Sequence, residues 1–292
     1  MANNAAAQTT KYGPLAFRLP ASTRMLGVAD IGVIGRDDDV LFYNPAQLMV
    51  ARGTSASVER MNEHTVGGTM STVLRLGPGA IGIGVNYLEY LAEYAVYPVT
   101  RADILRSPAS YPSATSTLAS IGYAQTYKGV RLGLSANYGA DQIGFERYYT
   151  GAADVGAAKD FGRFTTALSL QHLAPAYGGV SAYGGSDAGP PMEATLGESW
   201  AGPAGPLDLV GVAAVTGLRG AHVSPAIGGE ASWSWLSGFS VAWRAGVRYP
   251  TNVDDAKYTA GFGFTADRTT FDLAAEVLPN DKVGYRLGIR VR

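Results

Sequence analysis

The chain has 292 residues, a formal net charge of −1, no cysteine, and 16% charged against 47% hydrophobic residues. These figures exclude disulfides, thiolate metal sites and cysteine nucleophiles, and the near-neutral charge lacks the basic footprint that a nucleic-acid partner requires. No apolar run approaches the roughly 18 to 20 residues of a membrane helix, yet a transmembrane strand needs only about 9 to 11 residues, half of them facing lipid, and escapes that test.

Residues 1–10 carry neither a charged n-region nor an apolar h-region, so the sequence is expected to be a mature chain without its signal peptide. The next forty residues do not alternate. They hold a small, apolar stretch from Leu26 to Val33, an acidic run from Arg36 to Asp39, and the segment Leu41 to Met49. The acidic run lacks the alternating spacing and glycine of a calcium loop and reads as a solvated turn. Asn44 is a good helix N-cap and Pro45 suits the first helical position, which predicts a short helix from Pro45 to about Val50. Residues 1–52 are therefore expected to fold back as a hatch inside the remainder of the chain.

From residue 53 the chain divides into segments of strand length. They run over 53–61, 68–76, 79–89, 117–127, 129–139, 151–160, 162–173, 191–201, 206–216, 225–235, 238–249, 257–266, 269–278 and 283–292. Fourteen is an even number, as a single-chain bacterial barrel requires. The predicted fold is all-β: a 14-stranded antiparallel transmembrane β-barrel over 53–292, with an N-terminal plug containing a short helix. Every other joint is tight, as at Gly77-Pro78, Lys128-Gly129, Phe161-Gly162, Gly202 to Gly205, Ser237-Gly238 and Asp267-Arg268, with longer joints between them. Short turns mark the periplasmic rim, and both chain ends are expected there. Tyr87, Tyr90, Tyr94 and Tyr97 on one side and Trp200, Trp233 and Trp235 on the other suit two interfacial girdles.

The last strands show the alternation best. Tyr285, Leu287, Ile289 and Val291 alternate with Arg286, Gly288, Arg290 and Arg292; Val241, Trp243, Ala245 and Val247 alternate with Arg244 and Arg248; Phe271, Leu273 and Ala275 alternate with Asp272 and Glu276. Successive side chains of a strand face opposite ways, and an arginine facing lipid at mid-membrane costs about 2 to 4 kcal/mol. The charges are thus placed inside, as a lumenal network of Glu230, Arg244, Arg248, Asp272, Glu276, Arg286 and Arg290. Glycine, 38 of 292 residues, supplies small lumen-side positions that leave room for a plug.

Chemistry is sparse. Gly77 to Gly82 matches the spacing of a dinucleotide loop, but alternating Ile81, Ile83 and Val85 come directly after it, so it reads as a hairpin turn. His64, His172 and His222 lack ligand spacing, and no nucleophile elbow occurs. The chain is read as having no catalytic residues, metal or cofactor.

Asn44-Pro45-Ala46, preceded by Ala29-Asp30 through Asp38, resembles the hatch of the FadL-type outer-membrane transporters, which carry an Asn-Pro-Ala motif before a fourteen-stranded barrel. Gly228-Gly229-Glu230, Arg244 to Arg248, Gly261-Phe262-Gly263 and Arg286-Leu287-Gly288 look more like the PorV/PorQ branch of that superfamily. The chain departs from the first in its shorter loops and from the common barrel ending in closing on Arg292, not an aromatic. The resemblance implies an outer-membrane protein in contact with lipid, passing small hydrophobic molecules passively. Ligand would enter through the loop region of Tyr90, Leu91, Tyr94, Val96 and Tyr97 and leave when the hatch around Asn44 to Leu48 shifts. The alternative it implies is a PorV-like scaffold binding envelope protein partners, or a structural barrel in a larger assembly.

Overall fold

A computed structural model describes residues 15–62, 65–91, 113–143, 146–173, 192–218, 223–249, 256–277 and 283–292. Fourteen strands form a closed antiparallel barrel in which each pairs with its sequence neighbours and the last pairs with the first. They are β1 (Gly53–Asn62), β2 (Thr65–Leu76), β3 (Gly79–Leu91), β4 (Ser113–Tyr127), β5 (Val130–Ile143), β6 (Glu146–Phe161), β7 (Phe164–Leu173), β8 (Glu193–Ala204), β9 (Leu207–Leu218), β10 (Val223–Leu236), β11 (Phe239–Arg248), β12 (Lys257–Ala266), β13 (Thr269–Val277) and β14 (Val283–Val291). Closure sets Thr54 opposite Val291 and Arg60 opposite Tyr285. Among the described residues no helix is long and apolar enough to cross a membrane; the strands cross it, because a closed sheet satisfies every ladder hydrogen bond internally.

Several strands run further than the alternation alone suggests. β4 begins at Ser113 and β8 runs to Ala204, which narrows the joint read at Gly202 to Gly205 to Gly205 and Pro206. Backbone pairing continues past the lipid-facing band because ladder bonds need no apolar side chain. At the tight turns Gly77, Gly129, Gly162, Gly205 and Gly238 take φ between +54° and +83°, and Asp267 takes +55°. This left-handed backbone is what tight hairpin turns need and what glycine adopts without strain.

The outer wall carries the greasy rows: Val58, Met70, Trp243 and Leu287 are all at least half exposed. Trp235 stacks on Phe264 at 6.4 Å and lies against Trp233 and Phe239 at the tight-turn end. Trp200, half-buried, sits opposite Phe164 at that end. Tyr87 is exposed near the loop end of β3, whereas Tyr94 and Tyr97 lie outside the described residues.

The bore is filled by residues 15–52. A short helix, α1 (Thr23–Leu26), is capped by Ser22, whose hydroxyl accepts the Met25 N–H, and three 3₁₀ turns come after it at Gly32–Ile34, Asp38–Phe42 and Pro45–Met49. The N-terminal chain end, expected at the tight-turn rim, lies outside the described residues. Ala16 N–H donates to Ser116 Oγ at 2.8 Å, and Ser116 is near the loop end of β4, so the described chain starts at the loop rim and threads the bore before β1. Reading the acidic run as a solvated turn is wrong: Asp37 and Asp38 are fully buried and Asp39 is 6% exposed.

Candidate functional site: the hatch within the lumen

The hatch fits because the wall beside it is glycine. A Cβ at Gly133 would fall on the Pro45 carbonyl carbon, at Gly156 on Asn44 Oδ1, at Gly197 on Val33 Cγ1 and at Gly246 on the Ala29 nitrogen. Gly82 and Gly122 accommodate Leu48 and Leu41 in the same way.

Asn44 caps the turn at Pro45–Met49. Its Oδ1 accepts the Ala46 N–H at 3.0 Å, and its Nδ2 donates to Val33 O at 3.1 Å and to Leu168 O of β7 at 3.4 Å. Asn44 and Ala46 are fully buried, so one side chain ties the turn to the preceding hatch segment and to the wall. Ser169 Oγ and Gln171 Nε2 add bonds to Tyr43 O and Phe42 O at 2.7 and 2.8 Å. Tyr43 has no signal in the sequence, yet its hydroxyl accepts from Ala21 and Ser22 N–H and donates to Asp30 Oδ1 at 2.6 Å.

Among the described residues the charged side chains form four groups, one of them Arg131 at 2.5 Å and the hatch's Arg36 at 4.0 Å from Asp160. In the largest, Arg244 bridges Glu230 at 2.5 Å and Asp272 at 2.7 Å, and Arg290 bridges Asp272 at 3.2 Å and Asp37. Arg24 reaches Glu230 at 2.8 Å and Asp37 at 3.1 Å, and Arg292 reaches Asp37 at 2.7 Å. In the second, Arg248 joins Asp30 at 3.0 Å and Glu276 at 2.8 Å, and Lys257 joins Glu276 at 3.1 Å. In the third, Arg286 stands 3.5 Å from Glu59, donates to Ser57 and Thr69, and contacts the Pro20 carbonyl. Of the seven wall residues read from alternation, four fall in the first group, two in the second and Arg286 in the third.

Sequence reasoning missed Arg24, Asp30 and Asp37, the hatch's own partners in these groups. The only available signal was charge inside an otherwise small and apolar segment. Burial alone would raise the Asp37 carboxyl, but Arg290, Arg24 and Arg292 together hold it well below the usual carboxylate range. Asp39 goes the other way: burial, then Asp38 and Asp37, push it well above that range.

The two sides of the hatch are held differently. Ion pairs bolt it to β10, β11 and the end of β14, and Arg36 stands 4.0 Å from Asp160 of β6. Towards β8, β9 and β10 the contact is apolar, with Met25, Val28, Val33 and Ile34 packed among Val210, Val212, Ala214 and Ala226. A recess of about 230 Å³ opens there, lined by Met25, Val28, Ile34, Ala201, Val210 and Val212, with Arg24, Arg36, Arg163 and Glu230 at its polar edge. Of the loop candidates, Tyr90 is half-buried on β3 and Leu91 ends that strand; Tyr94, Val96 and Tyr97 lie outside the described residues. Among the described residues no three His, Cys, Asp or Glu side chains are grouped to hold a metal.

No protein-family model and no curated protein matches the sequence. Solved structures do match. The monoaromatic hydrocarbon channel CymD superposes with a TM-score of 0.61 at 10% identity, covering 93% of this chain and 96% of its own. The toluene transporter TodX of Pseudomonas putida superposes with 0.56 at 10% identity, covering 88% of this chain and 94% of its own. The fold is that of a FadL-type outer-membrane barrel. The FadL-type resemblance read from Asn44-Pro45-Ala46 and the strand count therefore holds at the level of fold. The apolar outer wall of the closed sheet suits a bilayer, and these structural neighbours are a hydrocarbon channel and a toluene transporter.

Proposed function

We propose that this barrel passes small hydrophobic molecules across the outer membrane by diffusion, along the apolar side of the hatch. The observation that carries the proposal is the recess between hatch and wall, about 230 Å³ and lined by Met25, Val28, Ile34, Val210 and Val212. An apolar cavity of about 150 Å³ is enough for benzene, so a single-ring aromatic fits. The ion-paired side, Asp30 included, serves as a fixed mount, and the side chains of Met25, Val28 and Ile34 give way as cargo leaves towards the tight-turn rim. This assigns the moving part to the apolar contact rather than to the Asn44 turn, whose buried hydrogen bonds have no partners to exchange for. Movement down a gradient then needs only a continuous apolar surface.

Uptake of labelled toluene into proteoliposomes tests this. Val212→Trp fills the recess and is expected to bring uptake down to that of vesicles without protein, with the barrel's heat-modifiable gel mobility unchanged. Uptake equal to the parent, in Val212→Trp and in a variant lacking residues 15–52, would overturn the proposal. A stoichiometric envelope protein on the purified barrel would point instead to the scaffold reading, which rests on the outer loops.

A further inference from the structure

Three buried polar atoms without a hydrogen-bond partner belong to residues that line one small cavity. They are Thr23 Oγ1, Asp39 Oδ1 and Arg290 Nε, and the cavity between α1, the acidic run, β1 and β14 measures about 20 Å³. The three residues are 5%, 6% and 6% exposed. A buried donor or acceptor without a partner is costly, and a cavity of that size holds one water. The chemistry is complementary: Arg290 Nε–H and the Thr23 hydroxyl can donate to a water oxygen, and that water can donate to Asp39 Oδ1.

The charges around this joint do not balance. Five carboxylates, of Asp37, Asp38, Asp39, Glu230 and Asp272, face four guanidiniums, of Arg24, Arg244, Arg290 and Arg292. Asp37, Glu230 and Asp272 each bind at least two arginines. Asp38 instead takes the hydroxyls of Ser55 and Ser71, both at 2.6 Å, and Asp39 takes that of Ser22. One negative charge is left in excess among groups of which only Arg292 is largely exposed, and adjacent buried carboxylates do not both ionise readily.

We propose that this joint binds one proton and one water molecule, the proton on Asp39 and the water bridging Asp39, Thr23 and Arg290, so that the grip on the hatch loosens as the pH rises. Every element packed against Asp39 brings polar or charged groups to it. Ser22, Thr23 and Arg24 face it from α1 and its cap, Asp37 and Asp38 from its own run, Ser55 and Ser57 from β1, Asp272 from β13 and Arg290 from β14; Tyr43 stands within electrostatic reach. Arg290, the nearest cation on the wall, is already engaged by Asp37 and Asp272. A metal ion is the poorer occupant, because Arg290 Nε presents a donor where a cation needs acceptors.

The sign comes from burial. The seated hatch holds the proton above the pH at which a released hatch would lose it, so seating weakens as pH rises from the ordinary carboxylate value of 3.8 to the pH at which Asp39 ionises in place. Within that window the loss is about tenfold per pH unit. Asp37 is ionised in both states throughout the window and adds no slope.

Hydrogen exchange with mass detection on the full chain in detergent, from pH 5 to 9 and corrected for intrinsic rates, reads this directly in peptides spanning 21–27 and 36–43. The expected result is protection that falls about tenfold per pH unit and then levels off, with barrel peptides unchanged; Asp39→Asn, neutral and nearly isosteric, is expected to be flat. A wild-type profile flat across that range, an Asp39→Asn profile with the wild-type slope, or protection that tracks sodium concentration rather than pH would overturn the proposal. Thr23→Val, which displaces the water but keeps the carboxyl, is expected to move the levelling-off point to higher pH, and an unshifted curve would remove the water from the joint. None of these readouts depends on what the barrel transports.

Discussion

Replacing Asn44 by alanine is expected to loosen the hatch without opening the barrel wall. The side chain provides an N-cap to Ala46, typically about 1 kcal/mol, and donates to two buried carbonyls, of Val33 and Leu168, at roughly 1 kcal/mol each at best. Because the 3.4 Å bond to Leu168 is the weaker, the total is about 2–3 kcal/mol, or roughly 30- to 150-fold in local opening. Hydrogen exchange at the Ala46, Val50 and Ala51 amides, bonded to Asn44 Oδ1 and to Gln47 O, measures it. Asn44→Ser keeps an acceptor for the cap but cannot span to Val33, so it should fall between parent and alanine. Asn44→Asp keeps the cap and turns a carboxylate towards two carbonyl oxygens, so it should be at least as damaging as alanine. If Asn44→Ala left these amides as protected as in the parent, or weakened β-strand amides equally, the turn would not be the anchor described.

Asp37→Asn leaves the Arg24, Arg290 and Arg292 guanidiniums without their shared carboxylate; removing one partner of a buried pair costs about 3–5 kcal/mol, and limited proteolysis should then cut within 15–52 while the barrel stays intact. Asp37 is held low, so its contribution to seating is full above the ordinary carboxylate range and is lost only as pH falls far below it; acid should release the hatch only under strongly acidic conditions, as read by the same digestion. Gly133→Leu puts a side chain where Pro45 lies and is expected to expel the hatch, giving stepwise ion conductance in planar bilayers well above the parent's. Leu287→Arg, on a position 56% exposed on the outer wall, should lower stability in lipid vesicles by about 2–4 kcal/mol, measured by denaturant titration, although its neighbour Arg286 is fully buried on the opposite face.

The barrel is legible from the sequence because its rule is local. Period-two alternation in β11, β13 and β14 assigns each side chain to lipid or lumen, and a glycine or aspartate at each tight turn marks where the rim lies. The Asn44 turn is legible for the same reason, since cap and proline are adjacent. What could not be read is which wall residues the hatch meets inside the bore. Asp37 resembles a solvated turn until Arg290 and Arg292, some 250 residues later, are brought beside it. The path from the loop rim also depends on Ser116 meeting Ala16, 100 positions away. Likewise, nothing near Tyr43 marks it as the hydroxyl that gathers Ala21, Ser22 and Asp30.

The strand that completes the cylinder is also the strand that grasps the plug: β14 pairs with β1 along its length, while Arg286 reaches Pro20 and Arg290 and Arg292 hold Asp37. Closure and seating are thereby coupled: once the final seam zips, the cylinder offers no side entrance, and the N-terminal segment can pass only through a rim. A nascent chain lacking its last ten residues would be missing the weld and the Arg290 and Arg292 bolts, would keep those at Glu230 and Arg248, and would present an unpaired strand edge.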